Sequence, residues 1–243
     1  LVILILNKMD GEIKYKNNTI KFYDLFETGH NIDKFIMNNQ LYSRPDHNFE
    51  FLLKLMKPNS VVYDIGAYIG TFSIPFALEG MCVHTFEGFP DNFKRIKKNC
   101  AVYENISVHL VAVSNVNETV VTKFNDCTAQ EPIEREIKFM IFDEYLKENN
   151  IEAPDLVKVD IEGMETLALF GMKNLIENIK PIWQIGYHIG LDVKFDSYPG
   201  FVHVEDGGFN FNEFKKHGYK IYNEQHKEVQ GFTNWGEYVC VPK

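Results

Sequence analysis

Val61-Val62-Tyr63-Asp64-Ile65-Gly66-Ala67-Tyr68-Ile69-Gly70-Thr71-Phe72 decides the fold. The run opens apolar, at Val61, Val62 and Tyr63, and ends in an acid, Asp64. A small-residue turn with Gly66, Ala67 and Gly70 follows, and Thr71 begins a segment that can be helical. The pattern predicts a buried strand, a tight turn and a helix start. Nucleotide-type cofactors use this arrangement in open α/β sheets. Glycine lets backbone approach a ligand, and a helix start offers unpaired N–H groups. The turn reads D-x-G-x-x-x-G rather than G-x-G-x-x-G. A carboxylate ahead of the first glycine repels a pyrophosphate but suits a ligand with a cationic centre and hydroxyls. S-adenosylmethionine, with its ammonium, sulfonium and ribose, is such a ligand. The plainer alternative is an ordinary strand–turn–helix with a solvated Asp.

Outward from this stretch, strands and helices alternate. Cys82 to Phe86, Ile106 to Val113, Leu156 to Ile161 and Ile182 to Tyr187 read as strands. Between them, Thr71 to Glu79 reads as a short helix, and Phe93, Ile96, Cys100 and Tyr103 form a helical stripe. A long helical face runs from Met164 to Ile179, closed by Pro181. Thr119 to Phe124 and Arg135 to Phe139 suit an antiparallel excursion. Such alternation implies a parallel sheet with helices on both faces. Tyr219 to Tyr222 and Tyr238 to Val241 suggest an antiparallel addition at one edge. Ahead of all this, residues 1–45 form an N-terminal strand-rich extension. It includes Glu12 to Tyr15, Thr19 to Tyr23, the opening run Leu1 to Leu6 and a turn at Gly29-His30-Asn31. The main domain then spans 46–243.

Ligands of such sheets bind beyond the carboxyl ends of the strands. That rule selects Asp64, Gly66, Ala67, Tyr68, Gly70 and Thr71 after the first strand, and Glu87, Gly88 and Phe89 after the second. Glu87 follows the glycine turn by about the 20 residues at which an acid meets ribose hydroxyls. A carboxylate can accept from two adjacent hydroxyls; a solvated acid opening the helix at Pro90-Asp91 is the alternative. Ala112 and Val113 would flank an adenine, although packing explains them equally. At the fourth strand, period-2 alternation places Lys158, Asp160 and Glu162 on one side. Charges at the mouth of a buried strand are costly unless paired, hydrated or used. Pairing of Lys158, with Glu162 and Glu165 capping the next helix, would also account for them. His188 ends the fifth strand beside the same mouth. His203, Glu205 and Asp206 fall in an irregular loop.

The 243 residues, 45% hydrophobic with 20 Phe and 12 Tyr, suffice for one packed core. A net charge of -9 argues against nucleic acid as partner. The basic cluster Lys94, Arg95, Lys97 and Lys98 reads as the wet face of a helix. Cys82, Cys100, Cys127 and Cys240 make no C-x-x-C pair and read as thiols of a reducing, cytoplasmic compartment. No segment approaches the ~20 apolar residues of a membrane span. The chain opens on Leu1 rather than Met, which suggests a fragment of something longer, trimmed near a domain boundary.

Asp64-Ile-Gly-Ala-Tyr-Ile-Gly, Phe86-Glu87, Asn92, Asn99 and Lys158-Val-Asp-Ile-Glu-Gly-Met-Glu together resemble the FkbM-type methyltransferases, over residues 42 to 188. The resemblance implies a Rossmann-like class I methyltransferase fold. Its features would be a mostly parallel seven-stranded sheet with an antiparallel C-terminal edge and a small N-terminal β/α prelude. It also implies S-adenosyl-L-methionine as cofactor and O-methylation of a sugar or polyketide hydroxyl. A sugar or glycan acceptor is the expectation, deoxysugars such as rhamnose or fucose first. Two departures stand out: the family usually has Asn where Tyr68 stands, and often Glu where Gly186 stands. His188, Asp160 and Glu162 are the candidate catalytic residues, with His188 as the base and Asp160 also near the cofactor. No metal is expected, because Asp160 and Glu162 are an incomplete Mg²⁺ ligand set. The rival readings are a non-catalytic glycan- or protein-binding module on this scaffold and a nicotinamide-dependent oxidoreductase. The first should fail to bind the cofactor in calorimetry. The second is disfavoured by Asp64, which stands where a phosphate-binding turn belongs.

Overall fold

A computed structural model describes residues 8–26, 31–38, 48–124, 133–188, 211–232 and 236–243. The strand expected at Leu1 to Leu6, the turn at Gly29-His30, Cys127, and His203, Glu205 and Asp206 lie outside the described residues. The chain opens on a hairpin, β1 (Lys8–Tyr15) and β2 (Asn18–Phe26), then two short helices, α1 (Asn31–Met37) and α2 (Phe49–Leu55). The alternation begins with β3 (Val61–Ile65), α3 (Ser73–Leu78), β4 (Cys82–Glu87), α4 (Pro90–Cys100) and β5 (Ile106–Leu110). An excursion of β6 (Ala112–Ser114), β7 (Glu118–Phe124) and β8 (Ile133–Ile141) interrupts it. It resumes with α5 (Phe142–Glu148), β9 (Leu156–Val159), α6 (Glu165–Phe170) and β10 (Ile182–Tyr187). Finally come α7 (Phe211–Lys216), β11 (Tyr219–Tyr222), β12 (Glu228–Val229) and β13 (Gly236–Pro242).

The main sheet has eight strands in the order β12-β11-β13-β10-β9-β3-β4-β5. β5, β4, β3, β9 and β10 run parallel to one another. This is the Rossmann-like class I methyltransferase arrangement expected from the resemblance, with the two-residue β12 added. One detail differs: β13 pairs antiparallel with both β10 and β11, so the reversed strand lies inside the sheet, one strand in from the β11–β12 edge. The chain runs outward from β3 to β5 and then returns to β9 on the other side of β3. The order therefore reverses between β3 and β9, where open α/β sheets hold their ligands.

Alternation along the strands builds a core on each face. Tyr63, Ile65, Val157, Val159, Trp183 and Ile185 face one cluster, while Val62, Val83 and Leu156 face the other. The second cluster also takes Ile13, Ile20, Phe22, Leu25 and Ile36 of the N-terminal extension, packed with Ile69, Phe72, Phe76 and Ile96. The extension thus covers α3 and α4 rather than standing apart.

Three expectations are corrected. The strand expected from Ile106 to Val113 breaks after Leu110, and β6 leaves the main sheet to pair parallel with β8. The antiparallel excursion itself forms as β7 against β8. The long helical face of 164–179 divides into α6 and a single π-helical turn, Leu175–Ile179. Gly171 stands at the break, where a Cβ would lie 1.9 Å from the Ser114 carbonyl oxygen of β6. Finally, Arg95 is not on the wet face of α4. It is 5% exposed, while Lys94, Lys97 and Lys98 are exposed. Among the described residues no helix is long and apolar enough to cross a membrane.

Candidate active site

The turn after β3 is shaped by its neighbours before any ligand. Gly66 has φ +78, and a Cβ there would lie 2.0 Å from the Asp160 carbonyl oxygen. The glycine is needed because the ends of β3 and β9 touch, and Asp160 N donates to Ile65 O. Gly70, at φ +90, sits against Cys100 and Ile96 of α4. Tyr68 is also left-handed, at φ 53, which is uncommon for a bulky residue. Its side chain is held away from the turn. Tyr68 Oη donates to Asp33 Oδ1 at 2.9 Å and accepts from Arg95 Nη1 at 3.0 Å. Arg95 pairs with Asp33, which is 0% exposed. Tyr68 therefore serves the turn through its backbone, while its ring anchors the N-terminal extension.

Asp64 is wholly enclosed. Ser73 Oγ donates to its Oδ2 at 2.5 Å, and Lys158 Nζ lies 3.1 Å from its Oδ1. The sequence suggested a direct ligand contact; in the structure the carboxylate is 0% exposed and turned toward these two partners. The acid instead orients Lys158, whose ammonium also reaches Gly66 O at 3.3 Å and lies 3.6 Å from Asp160 Oδ2. Burial pulls the Lys158 pKa down, but Asp64 and Asp160 outweigh it, and the amine stays protonated.

Glu87 closes β4 with one oxygen accepting Tyr68 N–H and the other accepting Phe89 N–H, both at 2.9 Å. Each oxygen keeps a further acceptor position. Burial pushes the Glu87 pKa up to about 7, against those two amides. An ionised acid in this place is stabilised by further donors, which two vicinal hydroxyls supply. Gly88 packs on Ala112, and a Cβ there would approach the Ala112 Cβ to 2.8 Å. Ala112 and Phe89 remain partly open and adjoin the same small cluster. Val113 is 4% exposed and belongs to the main core, so packing accounts for it.

The mouth of β9 and β10 holds the remaining candidates. Asp160 is one-third exposed and lies 3.7 Å from His188 Nε2. Glu165, buried at the start of α6, bonds His188 Nδ1 at 2.9 Å and accepts N–H groups from Ile161 and Gly163. Burial pulls His188 down, but Glu165, Asp160 and Glu162 reverse the balance and hold its pKa at about 9. That balance favours the protonated ring, where the sequence suggested a neutral imidazole base. For Glu162 the strand alternation expected from the sequence does not hold. β9 ends at Val159, so alternation stops, and Glu162 is exposed in the following turn with φ 53.

Glu237 was missed. It pairs across the sheet with Gly186, and a Cβ on Gly186 would stand 3.2 Å from Glu237 Oε1, 3.1 Å from Asp160 Oδ1 and 3.2 Å from His188 Cε1. Gly186 therefore sits where an acid from β9, an acid from β13 and the His188 ring converge, with no room for a larger side chain. Gln184 Nε2 donates to Glu237 Oε2 at 3.0 Å. Burial and the Asp160 charge push the Glu237 pKa well above the usual carboxylate range. The signal in the sequence was slight: an acid at the head of a strand whose register no local pattern fixes.

Comparison with known proteins fits this geometry. The Haloferax volcanii hexuronic acid methyltransferase AglP is 27% identical over 150 residues, covering 59% of this chain and 62% of AglP. A crystal structure of methyltransferase FkbM from Methylobacillus flagellatus KT shares the fold with TM-score 0.52 and 19% identity, over 86% of this chain and 53% of that one. The chain thus spans less than two thirds of the length of either relative. A family model described as the methyltransferase FkbM domain matches residues 64–230, from the enclosed acid of β3 to the far edge of the sheet. With the reversed inner strand and the carboxylate at the end of β4, that match places the chain in the FkbM family of S-adenosylmethionine-dependent methyltransferases.

Proposed function

We propose that this protein transfers a methyl group from S-adenosylmethionine to a hydroxyl of a sugar, within a glycan. The observation that carries the reading is the mouth around Gly186, where Asp160, Glu237 and His188 offer acceptors and a donor for a hydroxyl-rich ring. The name of the AglP relative supports a sugar acceptor, and a chain with net charge -9 is a poor match for nucleic acid.

The residues fit the donor. Glu87 would take the two ribose hydroxyls on the acceptor positions left by Tyr68 N–H and Phe89 N–H. Gly66, Ala67, Gly70 and Thr71 would line its amino-acid end, with Gly88, Phe89 and Ala112 flanking the adenine. When bound, S-adenosylmethionine supplies a methyl group on a cationic sulfur. The protein's own task is to align the hydroxyl and remove its proton. Asp160 and Glu237 are the proton acceptors of this mouth. His188, kept cationic by Glu165, orients the acceptor oxygen and offsets the two acids. Lys158 fixes Asp160 from behind.

A tritiated-methyl transfer screen tests the proposal, with rhamnosides, fucosides and hexuronosides as acceptors beside RNA and protein. Alkali-stable label on a carbohydrate is the expected result. Label on RNA or protein alone, or an alkali-labile methyl ester on a hexuronic acid, would overturn the hydroxyl assignment.

A further inference from the structure

At the end of β4 opposite Glu87, three side chains of different chemistry meet. Cys82 opens the strand and His84 follows two residues on, so both project from one face. Glu152 comes from the segment between α5 and β9. Cys82 Sγ lies 3.3 Å from Glu152 Oε1, and His84 Nε2 lies 3.8 Å from the same oxygen. The thiol, imidazole and carboxylate atoms all fall within 4.8 Å of one another.

A tetrahedral zinc site has Zn–S bonds of about 2.3 Å and Zn–N and Zn–O bonds of about 2.0 Å, so its ligand–ligand edges run roughly 3.3–3.5 Å. The observed edge of 3.3 Å is already of that size, and the one of 3.8 Å is slightly longer. The gap between His84 Nε2 and Glu152 is longer than a hydrogen bond, so direct contact does not satisfy both groups.

The surroundings are built to hold these ligands. His84 Nδ1 lies 3.1 Å from His109 Nε2, and His109 Nδ1 lies 3.2 Å from Tyr145 Oη. A ligating imidazole needs a hydrogen-bond partner on its other nitrogen. If His84 Nδ1–H donates to His109 Nε2, and His109 Nδ1–H to Tyr145, then His84 Nε2 is left as a lone pair beside Cys82 and Glu152. Glu152 is fixed through its backbone, where its carbonyl accepts Tyr63 Oη–H. Its side chain is 57% exposed, which leaves an entry path and an open fourth position.

We propose that Cys82, His84 and Glu152 form a zinc-type divalent-cation site, with His109 as the positioning residue behind His84 and water as fourth ligand. On binding, the Cys82 S–H bond breaks, its proton leaves to solvent, and the thiolate bonds the metal; nothing is oxidised or reduced. The site lies some five strand steps, ~16 Å, from the Glu87 end of β4. It staples β4 to the α5–β9 segment and takes no part in methyl transfer.

The test titrates Zn²⁺ alone into the chelator-treated full chain by calorimetry. One equivalent should bind to the wild type. Glu152→Gln should weaken binding at least tenfold, Cys82→Ser should abolish it, and His109→Phe should weaken it ~10–100-fold. Co²⁺ in place of zinc should give a thiolate-to-cobalt near-ultraviolet band that Cys82→Ser lacks. Cys100 and Cys240 are buried and cannot supply that band without unfolding. Equal Zn²⁺ affinity in Cys82→Ser, or no thiolate band in the wild type, overturns the proposal. Should Cys82→Ser fail to fold, Glu152→Gln at its exposed position gives the same reading, and undiminished affinity there is likewise fatal.

Discussion

Replacing Asp33 with Ala should cost this protein a large part of its stability. Asp33 stands on α1 of the N-terminal extension at 0% exposure, and Arg95 of α4 is 5% exposed. Arg95 Nη2 donates to Asp33 Oδ1 at 3.1 Å and Oδ2 at 2.9 Å, and Tyr68 Oη joins both partners. Taking the carboxylate away deprives an enclosed guanidinium of its anion, which typically costs ~3–5 kcal/mol. Domains have ~5–15 kcal/mol in total. At a urea m-value of about 2–3 kcal/mol/M, the midpoint should fall by roughly 1–2.5 M. The assay is equilibrium urea unfolding followed through Trp183, which is 0% exposed and reports on the sheet. Removing the whole network together, as Asp33→Leu with Tyr68→Phe and Arg95→Met, leaves no charge uncompensated and should recover most of the loss. A loss below about 1 kcal/mol in Asp33→Ala, or a triple variant less stable than the single one, would refute the reasoning.

The free Glu87 carboxyl, raised from 4.5 to about 7 mainly by burial, stabilises the fold below 4.5 and loses that contribution as pH rises through about 7. Ribose hydroxyls favour its ionised form, so S-adenosylmethionine affinity should climb as pH rises through about 7 and then level off. Calorimetry from pH 5.5 to 8.5 checks this, and a flat profile would count against the ribose assignment. His188 should titrate near 9 by NMR, its stabilising contribution present below 6.5 and lost as pH rises through about 9. Glu165→Gln should lower that midpoint, and a wild-type midpoint near 6.5 would return His188 to the role of base. Gly186→Ala wedges a methyl among Asp160, Glu237 and His188 at 3.1–3.2 Å. Turnover should drop at least tenfold with donor affinity within twofold, and unchanged turnover would remove the acceptor from this space.

Local patterns carried the parts of the fold that local physics decides. Apolar runs, glycine turns and helical spacing marked β3, β4, β9, β10 and the β7–β8 excursion, because period and turn chemistry depend on neighbours in the chain. Glu87 and Asp160 were legible for the same reason: each ends a readable strand. The rest depended on partners far away in sequence. The close approach of β6 to Gly171 and the pairing of buried Arg95 with an acid 62 residues away both join distant parts of the chain. His188 looked like a neutral base because one residue in isolation has an ordinary imidazole. Glu165, Asp160 and Glu162, which only the fold brings beside it, push its pKa up. Glu237 depended on antiparallel register, which a slip of one residue would have turned to the other face.

The placement of β13 also sets an order of assembly. The reversed strand follows every other strand of the sheet in the sequence, yet it sits between β10 and β11. A chain still being synthesised can pair β3, β4, β5, β9 and β10, and it then presents β10 as a raw hydrogen-bonding edge open to other chains. β11 has no sheet partner but β12 until β13 arrives. The strand that seals that edge also delivers Glu237 opposite Gly186. Completion of the sheet and placement of Glu237 opposite Gly186 are therefore one event.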